Sequence, residues 1–70
     1  MIGYVKWFNN KKGHGFLTGD DGTSTFVHHT EINMVGFKAL YQGQKVSYDV
    51  IETQHGIQAG NVKVIQDPID

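Results

Sequence analysis

The sequence predicts an all-β fold, a small barrel or sandwich. No stretch of the 70 residues repeats its apolar side chains with a helical period. Short runs rich in strand-forming residues recur instead, and glycine, asparagine and aspartate separate them. A chain of this length holds one domain with a thin core. Five strands are expected, at about residues 2–9, 13–18, 24–28, 44–51 and 58–65.

Turn-forming residues lie between the predicted strands. The segments 9–13 and 19–22 join the first three strands, while Gln42-Gly43 precedes the fourth strand and His55-Gly56 follows it. Asparagine, aspartate and glycine tolerate the positive φ angles that tight turns require. These four breaks therefore support the strand assignment.

One connection is too long for a hairpin loop. We expect residues 29–43 to cross one end of the barrel, with a short helical turn near residues 30–33. After the fifth strand, residues 67–70 are expected to form a short C-terminal tail. The predicted domain therefore spans residues 1–66.

Alternation along the strands predicts which side chains form the core. In the second strand Leu17 shares one face with two glycines, while His14 and Phe16 point to the other face. The same reasoning in the other strands gives a largely aliphatic core. Its predicted members are Val5, Leu17, Val27, Ile32, Leu40, Val46, Tyr48, Val50, Val62 and Val64.

That core does not need the rings of the second and third strands, which are therefore expected on the surface. An exposed ring can stack on a nucleic-acid base, which is worth about 1–3 kcal/mol per base. Lysines between the rings can neutralise phosphates. Trp7 and Phe8 are adjacent, so both can face the surface only if their strand twists or bulges. The predicted nucleic-acid-binding residues are Lys6, Trp7, Phe8, Lys12, His14, Phe16, Phe26, His28, His29, Phe37 and Lys38.

Charge and composition limit the alternatives. The net charge is −1, but Lys6, Lys11 and Lys12 precede the first acid, Asp20, so one face can be positive. The absence of cysteine fits a reducing compartment. No apolar run approaches the roughly 20 residues that cross a bilayer, and no secretory signal is recognisable. The sequence thus predicts a cytoplasmic protein.

At the level of motifs the chain resembles the bacterial cold-shock family. The matching segments, in order over about residues 2–66, are Lys6-Trp7-Phe8-Asn9, Lys12-Gly13-x-Gly15-Phe16, Phe26-Val27-His28, Gly36-Phe37-Lys38, Gly43-Gln44 and Gly60-Asn61-Val62. The resemblance implies a five-stranded antiparallel Greek-key barrel of the OB type. It also implies binding of single-stranded RNA and DNA, and a role as an RNA chaperone or transcription antiterminator.

The chain departs from the family pattern at a few positions. His14 stands where the family usually has phenylalanine, and His29 where phenylalanine or tyrosine is common. His55 and Ile57 replace a basic residue and a proline. The aromatic surface therefore persists with less apolar rings, and we expect the affinity and its pH dependence to differ.

Other functions compete with single-strand binding. A small SH3-like barrel could use the exposed rings to bind a proline-rich peptide. Enzymatic activity is not predicted, since an open sheet excludes no water and offers no clustered carboxylates. Neither a metal site nor a cofactor is predicted, although three histidines could approach one another. We expect a monomer that prefers pyrimidine-rich strands; strand exchange through residues 29–43 would also allow a dimer.

Overall fold

A computed structural model describes residues 1–68. These residues form five strands and one short 3₁₀ helix, η1. The elements are β1 (Ile2–Asn9), β2 (His14–Gly19), β3 (Ser24–His28), η1 (His29–Glu31), β4 (Lys45–Thr53) and β5 (Gly56–Gln66). The predicted all-β class and the five predicted strands are confirmed, and the helical turn begins one residue before its predicted position. No helix within residues 1–68 is long and apolar enough to cross a membrane.

The strands close into a barrel in the order β1-β2-β3-β5-β4, with β4 returning to β1. Four of the five neighbouring pairs are antiparallel. The exception is β3 with β5, whose strands run parallel and share one bridge, from Phe26 to Gln58. The predicted five-stranded barrel of the OB type is confirmed, and this single bridge is its one parallel seam between neighbouring strands.

An aliphatic core fills the barrel, as alternation predicts. Leu17 and Val27 are fully buried on β2 and β3, and Val64 is half-buried against the core. The completely or nearly buried members of the core are Val5, Leu17, Val27, Ile32, Leu40, Val46, Tyr48, Ala59 and Val62. The prediction is confirmed at every position except Val50.

Val50 was wrongly predicted to be buried, since 48% of its side chain is exposed. Val46 and Tyr48 keep the inward alternation of β4. Between Ser47 and Asp49 the pairing with β5 shifts register. Beyond this irregularity the β4–β5 hairpin no longer continues the buried pattern, so Val50 faces solvent.

The long connection after η1 is fastened to β1. Two backbone hydrogen bonds, each of 2.9 Å, join it to Val5. The Val5 N–H donates to the Gln44 carbonyl oxygen, and the Gly43 N–H donates to the Val5 carbonyl oxygen. The side chain of Gln44 also donates to Asp67 Oδ1 at 3.2 Å. The predicted tail at 67–70 is thus in contact with the barrel at its first residue, and residues 69–70 lie outside the described residues.

Candidate nucleic-acid interface

Three aromatic rings form a row across β1, β2 and β3. Trp7 pairs with Phe16, and Phe16 pairs with Phe26. The ring centroids of Trp7 and Phe16 are 5.6 Å apart, and those of Phe16 and Phe26 are 5.8 Å apart. None of the three rings belongs to the buried core. We call these three rings, together with His14, the ring face.

His14 joins this row from the start of β2. Its ring centroid lies 6.1 Å from that of Trp7 and 6.0 Å from that of Phe26. In the sheet His14 is opposite Asn9 on one side and His28 on the other. The alternation of β2 therefore places both His14 and Phe16 outward, as predicted, while Gly15 and Leu17 are buried.

A bulge in β1 explains why Lys6 and Trp7 both face outward. Val5 pairs with Leu17 and Trp7 pairs with Phe16, so Lys6 is an extra residue on β1. A bulge lets two successive residues share a face. Lys6 and Trp7 are both exposed, with 41% of the Trp7 side chain accessible.

Phe8 lies in a different place from the other predicted rings. It pairs with Gly15 and is half-buried, packed against the core. A Cβ atom at Gly15 would lie 2.7 Å from Phe8 Cα and 2.9 Å from its ring carbon Cδ1. Only glycine fits beneath Phe8 at this position. Contact between Phe8 and nucleic acid stays a prediction. In the structure the Phe8 side chain packs against the core.

A first groove extends the ring face across the β3–β5 seam. It has a volume of about 510 Å³ and is lined by Phe26, His28, Thr30, His55, Ile57 and Gln58. His28 is held in place there, with its Nδ1 2.9 Å from Thr30 Oγ1. Thr30, His55, Ile57 and Gln58 were not among the predicted binding residues. The parallel bridge from Phe26 to Gln58 brings them in, and no local pattern in the sequence signals such a bridge.

A second groove lies between the β1–β2 turn and the long connection. Its volume is about 380 Å³, and its lining is Asn10, Lys11, Lys12, Gly13, His29, Gly36, Phe37 and Lys38. The His29 ring packs over Gly13, where a Cβ atom would lie 2.5 Å from His29 Cδ2. The His29 and His28 rings are 4.4 Å apart. Asn10 and Lys11 are additions to the predicted set.

The lysines around the ring face keep ammonium hydrogens free for a ligand. Lys6, Lys11 and Lys12 are exposed. Lys38 is half-buried, and its Nζ donates one hydrogen bond to the Met34 carbonyl oxygen at 3.2 Å. An ammonium group has three donors, so Lys38 retains capacity for an anion. The strands β1, β2 and β3 contain no aspartate or glutamate, so this side of the barrel is positive.

The histidines do not form a recognisable metal centre. Within residues 1–68, no three histidine, aspartate or glutamate side chains are grouped so that they could hold a metal ion. The two closest imidazoles, those of His28 and His29, line different grooves. The geometry instead presents flat rings, two shallow grooves and free cations on one surface. Such a barrel is a binding domain for a long, anionic ligand with flat groups.

Comparisons with known proteins agree with this class. The family model described as 'Cold-shock' DNA-binding domain matches residues 1–65. A cold shock-like protein of Thermotoga maritima is 50% identical over 66 residues, which are 94% of this chain and the whole of the relative. Cold shock protein 2 of Lactiplantibacillus plantarum is 56% identical over 61 residues, 87% of this chain and 92% of the relative.

A third relative, the major cold shock protein CspA of Pseudomonas aeruginosa, is 51% identical over 63 residues, 90% of this chain and 91% of the relative. The chain belongs to the cold-shock domain family. It is a nucleic-acid-binding domain and not an enzyme. The resemblance found in the motifs is confirmed.

Proposed function

We propose that this protein binds single-stranded RNA and DNA, preferably pyrimidine-rich, and that the bases of the bound strand stack on the ring face. The observation that carries the proposal is the row of Trp7, Phe16 and Phe26, whose rings lie side by side on three adjacent strands. Each stacked base contributes about 1–3 kcal/mol whatever its identity. Lysines beside the rings then bind the phosphates.

Single strands fit this surface better than a duplex does. In a duplex the base faces are covered by their neighbours and only the edges are accessible in the grooves. Within residues 1–68 the only helix is the three-residue η1, and a major groove is usually entered by a longer helix or a β-ribbon. The chain contains no arginine, the residue that most often reads guanine edges. These features favour contact with exposed base faces.

The grooves extend the same surface. A base that leaves the row at Phe26 enters the first groove, where Gln58 offers amide groups to its edge. A base beyond the other end reaches the second groove between His29 and Phe37, with lysines beside it. Phe37 is 76% exposed and free to stack. The interface therefore spans more nucleotides than the three rings alone.

In the cell we propose a role in the cold-shock response as a cytoplasmic RNA chaperone or transcription antiterminator. The relatives carry names that refer to cold shock. A surface that stacks unpaired bases stabilises them against pairing, so it shifts folded RNA towards the single-stranded state. We propose that the monomer carries out this function, because the ring face is complete within one chain.

Fluorescence of Trp7, the only tryptophan, tests the proposal. We expect strong quenching by an oligo-dT single strand and little by a duplex, with an affinity that falls steeply as salt increases. A proline-rich peptide is the control for an SH3-like barrel and should leave the emission unchanged. Equal quenching by the duplex, or quenching by the peptide with little salt dependence, would refute single-strand binding.

A further inference from the structure

All four histidines of the chain lie on or beside the ring face. His14 contacts the rings of Trp7 and Phe26, and His28 is its cross-strand neighbour. The other two line the grooves, His29 the second and His55 the first. Histidine is the side chain whose charge ordinarily changes between pH 5 and 8.

Within the part of the chain that the structure describes, the strands around His14 carry no negative group. Its neighbours on β1 and β3 are Asn9 and His28, and the nearest cation along the chain is Lys12. The strands β1, β2 and β3 carry no carboxylate. On β5, the residue that pairs with Phe26 is the uncharged Gln58. Among residues 1–68, therefore, the strands that flank His14 offer no counter-charge to its protonated form.

The nearby acids are placed elsewhere. Asp20 and Asp21 follow β2 at the end opposite His14 and lie close enough to the Tyr48 hydroxyl to influence it. Glu31 of η1 accepts a hydrogen bond from the Asn61 N–H at 3.4 Å. Glu52 pairs with Ile57 in the β4–β5 hairpin. None of them lies on the strands that flank His14.

We propose that binding of a single-stranded nucleic acid to the ring face is coupled to uptake of a proton by His14. The inference rests on the proposed function, and it adds the proton as a second ligand of the same site. Phosphates of the bound strand supply the missing negative charge. Because the bound state favours the protonated form, affinity rises as pH falls.

The other histidines are less suited to this role. His28 Nδ1 accepts a hydrogen bond from the Thr30 N–H at 3.4 Å and lies 2.9 Å from Thr30 Oγ1, so this ring is held by Thr30 rather than by the stacking rings. The rings of His28 and His29 are 4.4 Å apart, so two positive charges there would repel each other. His55 is exposed in the turn before β5, with Glu52 in the same hairpin. His14 is the histidine placed among the stacking rings.

The test measures the affinity of the intact protein for one oligo-dT ligand by Trp7 fluorescence at pH 7.5 and 5.5. We expect the wild type to bind at least about fivefold more tightly at the lower pH, the small end of typical coupling between two ligands. The slope of log affinity against log salt should steepen by up to about 0.7 for the added cation. His14→Phe should change its affinity less than about twofold between the two pH values. His14→Gln, which also cannot ionise, is the second variant if the phenylalanine variant does not fold.

Two controls separate His14 from the rest of the surface. His55→Gln should keep the pH dependence of the wild type. An oligo-dT with an uncharged methylphosphonate backbone should lose it, because no phosphate is left to pair with the imidazolium. Calorimetry in two buffers of different ionisation heat should show proton uptake on binding by the wild type and less by His14→Phe.

The outcomes are distinct for the two proposals. Absence of oligo-dT binding at both pH values would refute the proposed function. Tight binding with an affinity that is flat with pH, or an equal pH effect in His14→Phe, would overturn the proton coupling and leave single-strand binding intact.

Discussion

The side-chain amide of Asn10 forms two hydrogen bonds with the backbone of Leu40. Its Nδ2 donates to the Leu40 carbonyl oxygen at 3.0 Å, and its Oδ1 accepts from the Leu40 N–H at 3.1 Å. Leu40 is itself fully buried. This pair ties the turn after β1 to the connection that carries Phe37 and Lys38, so it holds the two walls of the second groove together.

Replacing Asn10 by alanine should therefore destabilise the domain by about 1–3 kcal/mol, since two partly buried backbone groups lose their partner. Urea unfolding measures this change. Binding should weaken as well, because the groove wall is no longer fixed. Asn33→Ala is the matched control: its Nδ2 bonds only to Asn61 Oδ1 on an exposed site, and we expect a smaller loss. Similar stability of both variants would contradict the anchoring role.

Phe16→Ala and Phe26→Ala should each weaken oligo-dT binding by about 1–3 kcal/mol while the barrel remains folded. Both rings stand outside the core, so their removal leaves no cavity. Leu17→Ala should instead cost about 2–5 kcal/mol of stability through a buried cavity. Circular dichroism and urea unfolding separate the two effects. If Phe16→Ala and Phe26→Ala unfold while Leu17→Ala stays folded, the buried and outward faces of β2 and β3 are the reverse of those described.

Gly15→Ala should severely destabilise the pairing of β1 with β2. A Cβ atom at this position would overlap the Trp7 carbonyl oxygen and lie 2.7 Å from Phe8 Cα, both of them backbone atoms that cannot turn aside. Gly22→Ala is the control, since a Cβ there meets nothing within 4 Å. Its φ of +83° makes alanine cost only about 1–2 kcal/mol. Thermal unfolding compares the two variants, and equal losses would contradict the steric argument.

Burial raises the pKa of the Tyr48 hydroxyl above the ordinary 10.0, and the charges of Asp21 and Asp20 raise it further, against a hydrogen bond with Thr25 that lowers it. The folded protein therefore holds this proton at a pH where the unfolded chain releases it. The resulting stability is present below pH 10 and is lost as pH rises towards the folded pKa.

The wild type should accordingly lose more unfolding free energy than Tyr48→Phe when the pH is raised from about 9 to about 11. Phenylalanine has no proton to release, while all other side chains are the same in the two proteins. The measurement is urea unfolding at both pH values. An equal loss in the two proteins would mean that the Tyr48 hydroxyl does not ionise differently in the folded and unfolded states.

Local patterns were sufficient to predict most of this fold. Glycine and asparagine lie where strands end. Alternation in β2 and β3 places Leu17 and Val27 on the buried face and Phe16 and Phe26 on the outward face. These features depend on neighbours along the chain, which a sequence displays directly. The prediction for Val50 was wrong because the register shift near Asp49 comes from pairing with β5, a contact between different strands.

The same reason explains which parts of the candidate site were not predicted. Gln58 and Ile57 reach the ring face through the parallel seam with β3, and Asn10 reaches the second groove through its bonds to Leu40. Both arrangements join segments that are 30 or more residues apart in sequence. The sequence predicted a twist or bulge in β1 only as the condition under which two adjacent residues could share one face. The structure shows that this condition is met for Lys6 and Trp7, while Phe8 turns towards the core.

The division between an aliphatic interior and an outward row of rings has an evolutionary consequence. Positions 14 and 16 on β2 alternate with positions 15 and 17, so the outward rings and the buried packing belong to separate residues of one strand. Natural variation at the outer positions can alter affinity, base preference or response to acidity without first passing through an unstable ancestor. His14 illustrates such a change: an imidazole stands among three aromatic rings while Gly15 and Leu17 beside it remain buried. The barrel can therefore accept changes on its outward face while its fold is kept.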